Sequence, residues 1–280
     1  MKATIQYINS ELAGFYPVSE IQSFIRIIFE AVCGISFTGQ IIRKNEKISL
    51  TDFEKIKSVI SRLKNFEPIQ YILGETEFYG LKLAVNPSVL IPRPETEELV
   101  QWIIKRNWPE NCKILDIGTG SGCIALALKK QLNNVDVFGI DISENALEVA
   151  KQNAIKSNLD VGFFQADILK WKHCNWQIFD VIVSNPPYIR ESEKQQMHNN
   201  VINFEPANAL FVPDENPLVF YRPIASFAHK HLSDNGMLFF EINENLGSEM
   251  NEMLIESGFA EIEIRKDING KDRMVSCRKI

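Results

Sequence analysis

The sequence predicts an α/β protein: a mostly parallel, doubly wound sheet of seven strands that follows a small helical domain. Three observations predict it. From residue 112 onward, short apolar strands alternate with helical stretches of 10–15 residues, the pattern of parallel βαβ units. Before residue 75, apolar residues recur at helical spacing. Near the end of the sequence, Asn269-Gly270 is a tight-turn pair between two strand-like runs, so the last strand should run antiparallel to its neighbour.

The helical part spans residues 1–74. Ser19 reads as the cap of a helix whose Ile21, Phe24, Ile25, Ile28 and Phe29 form one stripe, stopped by Gly34. Thr51-x-x-Glu54 reads as a capping box around Phe53, Ile56, Ile60 and Leu63. Such stripes need one another for burial, which makes a domain of them. After Pro68 the period changes. Residues 76–79 and 81–85 flank Gly80 and read as a hairpin, so residues 75–92 are expected to link the halves. Residues 93–280 form the second domain, opening with a helix over 95–106. Strand 112–116, helix 122–131, strand 135–140, helix 144–156 and strands 161–165 and 178–184 follow. Helix 217–232, strand 237–242, helix 247–257 and a closing strand pair around residues 267–270 complete the order.

Composition narrows the function classes. With 280 residues, 45% hydrophobic and 24% charged, the chain is ordinary globular material for two domains. No apolar run reaches the length of a membrane span, and residues 1–6 lack the apolar stretch of a secretory signal. The five cysteines show no C-x-x-C pair, which suits reduced thiols in a cytoplasmic protein. His229 and His231 are two apart and cannot share a helix face, so no metal site is expected. The net charge of −6 argues against binding a phosphate backbone. Residues 1–90 carry ten basic and nine acidic groups, so the deficit lies beyond them. The basic stretch 43–64, with seven basic and three acidic residues, reads as a solvated helix face, with a partner-contacting patch as the alternative.

Four motifs carry chemistry, each at a strand end. Gly118-Thr119-Gly120-Ser121-Gly122 follows the strand that ends in Asp116-Ile117; its glycines let backbone approach a ligand at a helix start. The third glycine comes one residue early for a dinucleotide fingerprint, because Cys123 follows Gly122. Nineteen residues beyond Gly122, Asp141 ends the next strand, well placed to accept both hydroxyls of a ribose. Asp167, with Ile168 after it, ends the third strand and suits the exocyclic amine of an adenine. Asn185-Pro186-Pro187-Tyr188 follows the fourth. Its prolines offer carbonyls without N–H donors, Asn185 adds a side-chain acceptor, and Tyr188 adds a flat ring. That corner suits a planar NH2 group, as in an amide, an adenine or a cytosine.

This arrangement resembles the class I S-adenosylmethionine-dependent methyltransferases, and among them the HemK-type N5-glutamine methyltransferases of peptide chain release factors. The resemblance runs from Pro68-Ile69-Gln70-Tyr71-Ile72-Leu73-Gly74, through Leu90-Ile91-Pro92-Arg93-Pro94-Glu95-Thr96-Glu97 and the motifs above, to Glu205-Pro206 and Asp272-Arg273. It implies a Rossmann-like fold with the last strand antiparallel, and S-adenosylmethionine as methyl donor, leaving S-adenosylhomocysteine. Gly118, Thr119, Gly120, Ser121, Gly122, Asp141, Asp167, Ile168 and Asn185 would hold the cofactor. Asn185, Pro186, Pro187 and Tyr188 would hold the substrate amide, with Asn185, Pro186 and Tyr188 catalytic. The implied partner is a release factor bearing a Gly-Gly-Gln loop, gripped elsewhere by the helical domain, with no direct nucleic acid, membrane or metal. Arg93 and Glu95 shape the pocket rim or form a local ion pair and helix cap. Two places depart from the family: Ile168 replaces a frequent aromatic, and residues 242–247 lack the usual glycine and glutamine. Two other substrates share the chemistry, a glutamine of a ribosomal protein and an adenine in DNA or RNA; the acidic balance disfavours the latter. A cofactor-binding module without turnover is the non-enzymatic alternative, disfavoured by the intact Asn185 corner.

Overall fold

The structure is a computed structural model that describes residues 1–279. The chain divides into two compact units: Met1–Gly74 with His198–Phe204, and Glu75–Met197 with the chain from Glu205 onward.

The first unit contains helices α1 (Lys2–Leu12), α2 (Val18–Cys33), α3 (Phe37–Ile42), α4 (Leu50–Leu63) and α5 (Ile69–Leu73). Its core joins Ile8 and Leu12 to the α2 stripe of Ile21, Ile25, Ile28 and Phe29 and the α4 stripe of Ile56, Ile60 and Leu63. Burial of each such side chain contributes roughly 1.5–3 kcal/mol, more than the few tenths separating ordinary residues in helix propensity. Two helix starts differ from the sequence expectation. Pro17, not Ser19, is the N-cap of α2, because proline's fixed φ suits a helix entrance. Ser49, not Thr51, caps α4: its Oγ accepts from the Asp52 N–H at 3.0 Å and donates to Asp52 Oδ2 at 2.8 Å. Ser49-x-x-Asp52 thus forms a side-chain-linked cap two residues ahead of the expected box. Gly34 ends α2 at φ 65°, the left-handed stop expected of it.

The second unit opens with a hairpin, β1 (Glu75–Phe78) and β2 (Leu81–Ala84), in antiparallel register. Its two-residue loop is Tyr79 at φ 47° and Gly80 at φ 69°, both left-handed as a primed turn demands. Helix α6 (Pro94–Ile104) follows, with proline in its first turn. Then come β3 (Cys112–Ile117), α7 (Cys123–Gln131), β4 (Val135–Asp141), α8 (Glu144–Ser157), β5 (Gly162–Gln165) and β6 (Phe179–Ser184). A short parallel pair, β7 (Ile189–Arg190) and β8 (Phe211–Val212), brackets α9 (Asn199–Phe204), which belongs to the first unit. The chain continues through α10 (Tyr221–His231), β9 (Leu232–Glu241), α11 (Gly247–Glu256), β10 (Phe259–Lys266) and β11 (Asp272–Lys279).

Seven of these strands form one sheet in the order β10-β11-β9-β6-β3-β4-β5. The neighbours from β9 to β5 pair in parallel, whereas β11 is antiparallel to both β9 and β10. The expected doubly wound α/β fold is therefore borne out, with the last strand seated inside the sheet, one place from its edge. β10 is the edge strand and is irregular: its pairing shifts between Ala260 and Glu263, and Glu261 sits at φ 49°. Residues of α6, α7 and α8 pack one core, including Leu99, Leu126 and Leu147. Residues of α10 and α11 pack the other, including Tyr221, Phe227 and Leu254.

Two boundaries move relative to the sequence reading. α10 starts at Tyr221 rather than 217, which puts Pro223 in its first turn, where a missing N–H breaks no helical bond. β9 starts at Leu232 rather than 237, pairing Phe179 with Leu232 and resuming at Val181 with Met237 across an irregularity. The parallel strands point their carboxyl ends the same way, and the loops after β3, β4, β5 and β6 gather there. In open α/β sheets that end is where ligands bind.

Candidate functional site

A cavity of about 300 Å³ opens at this end of the sheet, with Gly118, Gly120, Asp141, Asp167, Asn185 and Pro186 in its wall. Thr119, Ser121, Ile168 and Pro187 line it as well. Ten of the twelve residues singled out in the sequence thus share one space. Gly122 and Tyr188 stand outside its wall.

The glycine loop is shaped by its backbone. Gly118, Gly120 and Gly122 have φ of 73°, 55° and 79°, all left-handed. The N–H groups of Gly118 and Thr119 both donate to the Ile140 carbonyl, at 2.8 and 2.9 Å, tying the loop to the end of β4. Gly122 contributes closeness: an added Cβ there would meet Phe163 Cζ at 3.1 Å and Ala150 Cβ at 3.2 Å. Beneath the loop Asp116 is fully buried, its Oδ2 accepting from Thr119 Oγ1 at 2.6 Å. Burial pushes the Asp116 carboxyl up to about 7, against the pull of the Thr119 hydroxyl. Asn153, also fully buried, closes the outer side. Its Nδ2 donates to the carbonyls of Ser121 at 2.9 Å and Ala84 at 3.0 Å, and its Oδ1 accepts from the Ala84 N–H at 2.6 Å.

The carboxylates hold their places through backbone donors. Asp141 Oδ2 accepts from the Gly120 N–H at 2.9 Å, and Oδ1 from the Ser143 N–H at 2.9 Å. Burial raises its pKa above the ordinary carboxylate value, with those N–H donors opposing. Asp167 caps the 3-10 turn that starts at Ile168, accepting from the Leu169 N–H at 2.9 Å, and pairs with Lys170 at 3.1 Å. Each carboxylate oxygen can accept more than one hydrogen bond, so both acids retain acceptor capacity. Among the described residues Ser121 Oγ is buried with no hydrogen-bond partner. An unpartnered hydroxyl, two acids with spare acceptors and apolar walls at Ile117, Ile140 and Ile168 fit a ligand with hydroxyls and a flat aromatic part. S-adenosylmethionine has both.

At the fourth strand end the corner is made of side chains. Asn185 Nδ2 donates to Thr96 Oγ1 at 3.2 Å, and Thr96 Oγ1 donates to Glu241 Oε2 at 2.6 Å. Tyr188 OH donates to the other oxygen, Glu241 Oε1, at 2.9 Å. Glu241 is 1% exposed. Burial raises its pKa, while Thr96, Tyr188 and the Arg273 charge oppose and Glu95 adds to the rise. Burial next to Glu241 holds the Tyr188 phenol well above its ordinary value. Arg93 lines the cavity and bonds Glu205 at 2.5 Å; Glu205 Oε2 also accepts from the Ile91 N–H at 3.1 Å. The ion pair of Arg93 is therefore long-range, and the local pairing weighed from the sequence is corrected. Glu95 lies in the first turn of α6. In the atypical loop, Asn243 Nδ2 donates to the Tyr188 carbonyl at 3.2 Å and to Glu193 Oε2 at 3.0 Å, bracing the corner from β9.

Comparison with known proteins follows the same lines. A family profile described as "Methyltransferase domain" matches residues 109–218, and one described as "PrmC N-terminal domain" matches residues 4–74. A protein named release factor glutamine methyltransferase from Flavobacterium psychrophilum is 48% identical over 268 residues, covering 94% of each chain. This chain belongs to the release factor glutamine methyltransferase family. It is a methyltransferase, and the resemblance read from its motifs is borne out. A second member, from Bacteroides thetaiotaomicron, is 41% identical over 279 residues and covers 100% of both chains. Among solved structures, a methyltransferase from Pyrococcus furiosus matches with a TM-score of 0.54 at 18% identity, over 80% of this chain and 97% of that one. That likeness speaks for the fold alone.

Sequence reading missed Thr96 and Asn153, and gave Glu241 no role. Thr96 stood inside a quoted family segment, but nothing local marked its partner. Asn153 carried a weak signal, an amide amid the apolar positions of a helix. Among the described residues no group of three or more His, Cys, Asp or Glu could hold a metal ion, and no helix is long and apolar enough to cross a membrane.

Proposed function

We propose that the protein transfers a methyl group from S-adenosylmethionine to the side-chain amide nitrogen of the glutamine in a release factor's Gly-Gly-Gln loop. The names of its relatives support this substrate. The observation that carries the reading is that Asn185 and Pro186 line the same cavity as the glycine loop and Asp141. Methyl donor and amide acceptor are thereby given one space.

In this reading Asp141 accepts from the ribose, Asp167 and Ile168 frame the adenine, and Ser121 and Thr119 face the methionyl part. S-adenosylmethionine supplies an electrophilic methyl on a sulfonium and leaves as S-adenosylhomocysteine. The amide nitrogen is a poor nucleophile because its lone pair is delocalised into the carbonyl. Asn185 Oδ1 and the Pro186 carbonyl accept its two hydrogens and aim the nitrogen at the methyl group. As the nitrogen pyramidalises its hydrogens become more acidic, so these bonds strengthen in the transition state. No strong base is required, and the proton leaves to water after transfer. Tyr188, which stands outside the cavity wall, anchors the corner through Glu241. Pro187 walls the corner, and Gly122 holds the loop close. The helical unit, residues 1–74, grips the release factor away from the loop tip; the linker assignment to residues 75–92 and the cytoplasmic setting belong to the same reading.

Intact-mass measurement of a release factor incubated with enzyme and S-adenosylmethionine tests it. A gain of one methyl mass, mapped to the glutamine of Gly-Gly-Gln, is the expected result. Labelled methyl groups appearing on nucleic acid and not on protein would move the assignment to base methylation.

A further inference from the structure

An asparagine serves as an acceptor only when its amide is turned so that oxygen, not NH2, faces the substrate. The two orientations have nearly the same shape, so hydrogen bonding must choose between them. At Asn185 the choice is made by Thr96. Asn185 Nδ2 lies 3.2 Å from Thr96 Oγ1, and Thr96 Oγ1 lies 2.6 Å from Glu241 Oε2. A hydroxyl has one proton to donate and lone pairs to accept with. Glu241 Oε1 accepts from Tyr188 OH while Oε2 faces Thr96. In its ionised form, which burial disfavours and Thr96, Tyr188 and the Arg273 charge favour, Glu241 can only accept, so it takes the proton of Thr96 and leaves Thr96 Oγ1 as an acceptor. Only the NH2 side of Asn185 satisfies that acceptor; the flipped amide would set two oxygens against each other. The bonds run in one direction from Asn185 through Thr96 to Glu241, with Tyr188 OH donating from the other side at 2.9 Å. Thr96 and Glu241 are 2% and 1% exposed, so water is poorly placed to substitute for either.

We propose that Thr96 and Glu241 are positioning residues that set the polarity of the Asn185 amide, turning its Oδ1 toward the substrate amide hydrogens. The proposal rests on the reading of Asn185 as the amide acceptor, and it adds the reason why an asparagine there presents oxygen. Thr96 lines the cavity wall, but its hydroxyl is spent on Asn185 and Glu241; Glu241 stands outside the wall. The buried carboxylate acts at two removes, by deciding which atom of another side chain points into the cavity.

The test uses the full-length enzyme with release factor and S-adenosylmethionine both saturating, in single turnover. Thr96→Val keeps the branched shape and removes the hydroxyl; Thr96→Ser keeps the hydroxyl and removes the methyl. The expected result is a rate about tenfold lower for Thr96→Val, with Thr96→Ser close to the native rate. Melting curves and calorimetric S-adenosylmethionine affinity should stay close to native for both, separating orientation from collapse. A double-mutant cycle with Asn185→Asp sharpens the result, because a carboxylate presents oxygen either way round. Thr96→Val should therefore cost little in the Asn185→Asp background. Thr96→Val at the native rate, Thr96→Ser as slow as Thr96→Val, or an equal Thr96→Val loss in both backgrounds would each overturn the proposal. Asn185→Ala, run alongside, separates the two levels. A slow Asn185→Ala with a native Thr96→Val sinks only the relay, whereas a native Asn185→Ala sinks the amide-acceptor reading beneath it.

Discussion

Between Gly118 and Gly122 the cavity wall is main chain, held to the Ile140 carbonyl by two N–H groups and to Asp141 by a third. At Asn185 the wall is made of side chains, Asn185 after β6 and Thr96 of α6, backed from outside it by Glu241 at the end of β9 and by Tyr188. The first wall depends on backbone that glycine alone adopts easily. The second depends on four polar groups, each useful only while its neighbour keeps the same protonation and rotamer. A backbone wall is held in shape by several N–H bonds and tolerates the loss of one, whereas a relay concentrates function in single atoms. In the proposed reading the methyl donor meets the first wall and the substrate amide meets the second.

The sharpest way to break that contrast is to remove one atom group from each side. Asn185→Ala deletes an acceptor at the reacting nitrogen and is expected to lower single-turnover methyl transfer by about 10²–10³, by analogy with losing one oxyanion-hole partner. Release-factor affinity should change little, since most of a protein interface lies outside such a corner. A native rate with saturating substrates would make the corner structural.

Asp141→Ala is expected to act on binding. It removes charge-assisted bonds of roughly 1.5–3 kcal/mol each and frees the Gly120 and Ser143 N–H groups, so S-adenosylmethionine affinity should fall tenfold or more. The rate at saturating cofactor should fall less than for Asn185→Ala. Calorimetry giving an unchanged affinity would show that the ribose partner lies elsewhere.

A third effect, read on stability and not on turnover, is the pH dependence that Asp116 gives the first wall. Burial holds Asp116 at about 7 in the folded chain, against an ordinary value of about 3.9 when unfolded. Between those values the folded state binds the extra proton, so its stability contribution is full below about pH 4 and is lost as pH rises through about 7. Asp116→Asn keeps an acceptor for Thr119 and removes the titration. Melting temperatures of the native chain should therefore drop relative to Asp116→Asn between pH 5 and pH 8, as read by thermal scans; parallel curves would mean that Asp116 does not titrate in this range.

How much of this was legible in the sequence follows from distance along the chain. The glycine loop, Asp141, Asp167 and Asn185 each announce themselves within a few residues of a strand end, because strand, turn and function are local there. Thr96 and Asn185 are 89 residues apart, and Thr96 and Glu241 are 145 apart. No spacing rule joins them, since their meeting depends on the strand order. The clamp from Asn153 back to Ala84, 69 residues away, was hidden for the same reason. Helix starts went astray at Ser19 and Thr51 because several residues nearby were able to cap, and the choice fell to Pro17 and Ser49 through geometry that the pattern of types does not record. The inserted segment His198–Phe204, which belongs to the first unit, has no compositional mark at all.

The irregular outer strand β10 has a consequence for the company the molecule keeps. A sheet edge exposes unpaired N–H and C=O groups and invites another chain to extend it. On β10, Glu261, Glu263, Arg265 and Lys266 are all exposed, and the pairing shift beside Glu261 twists the strand away from a flat ladder. The opposite edge, β5, has only four residues, Gly162–Gln165. One border is charged and bent, the other too short to template a long partner. The sheet is thereby guarded at both borders against the strand-by-strand growth that ends in aggregates.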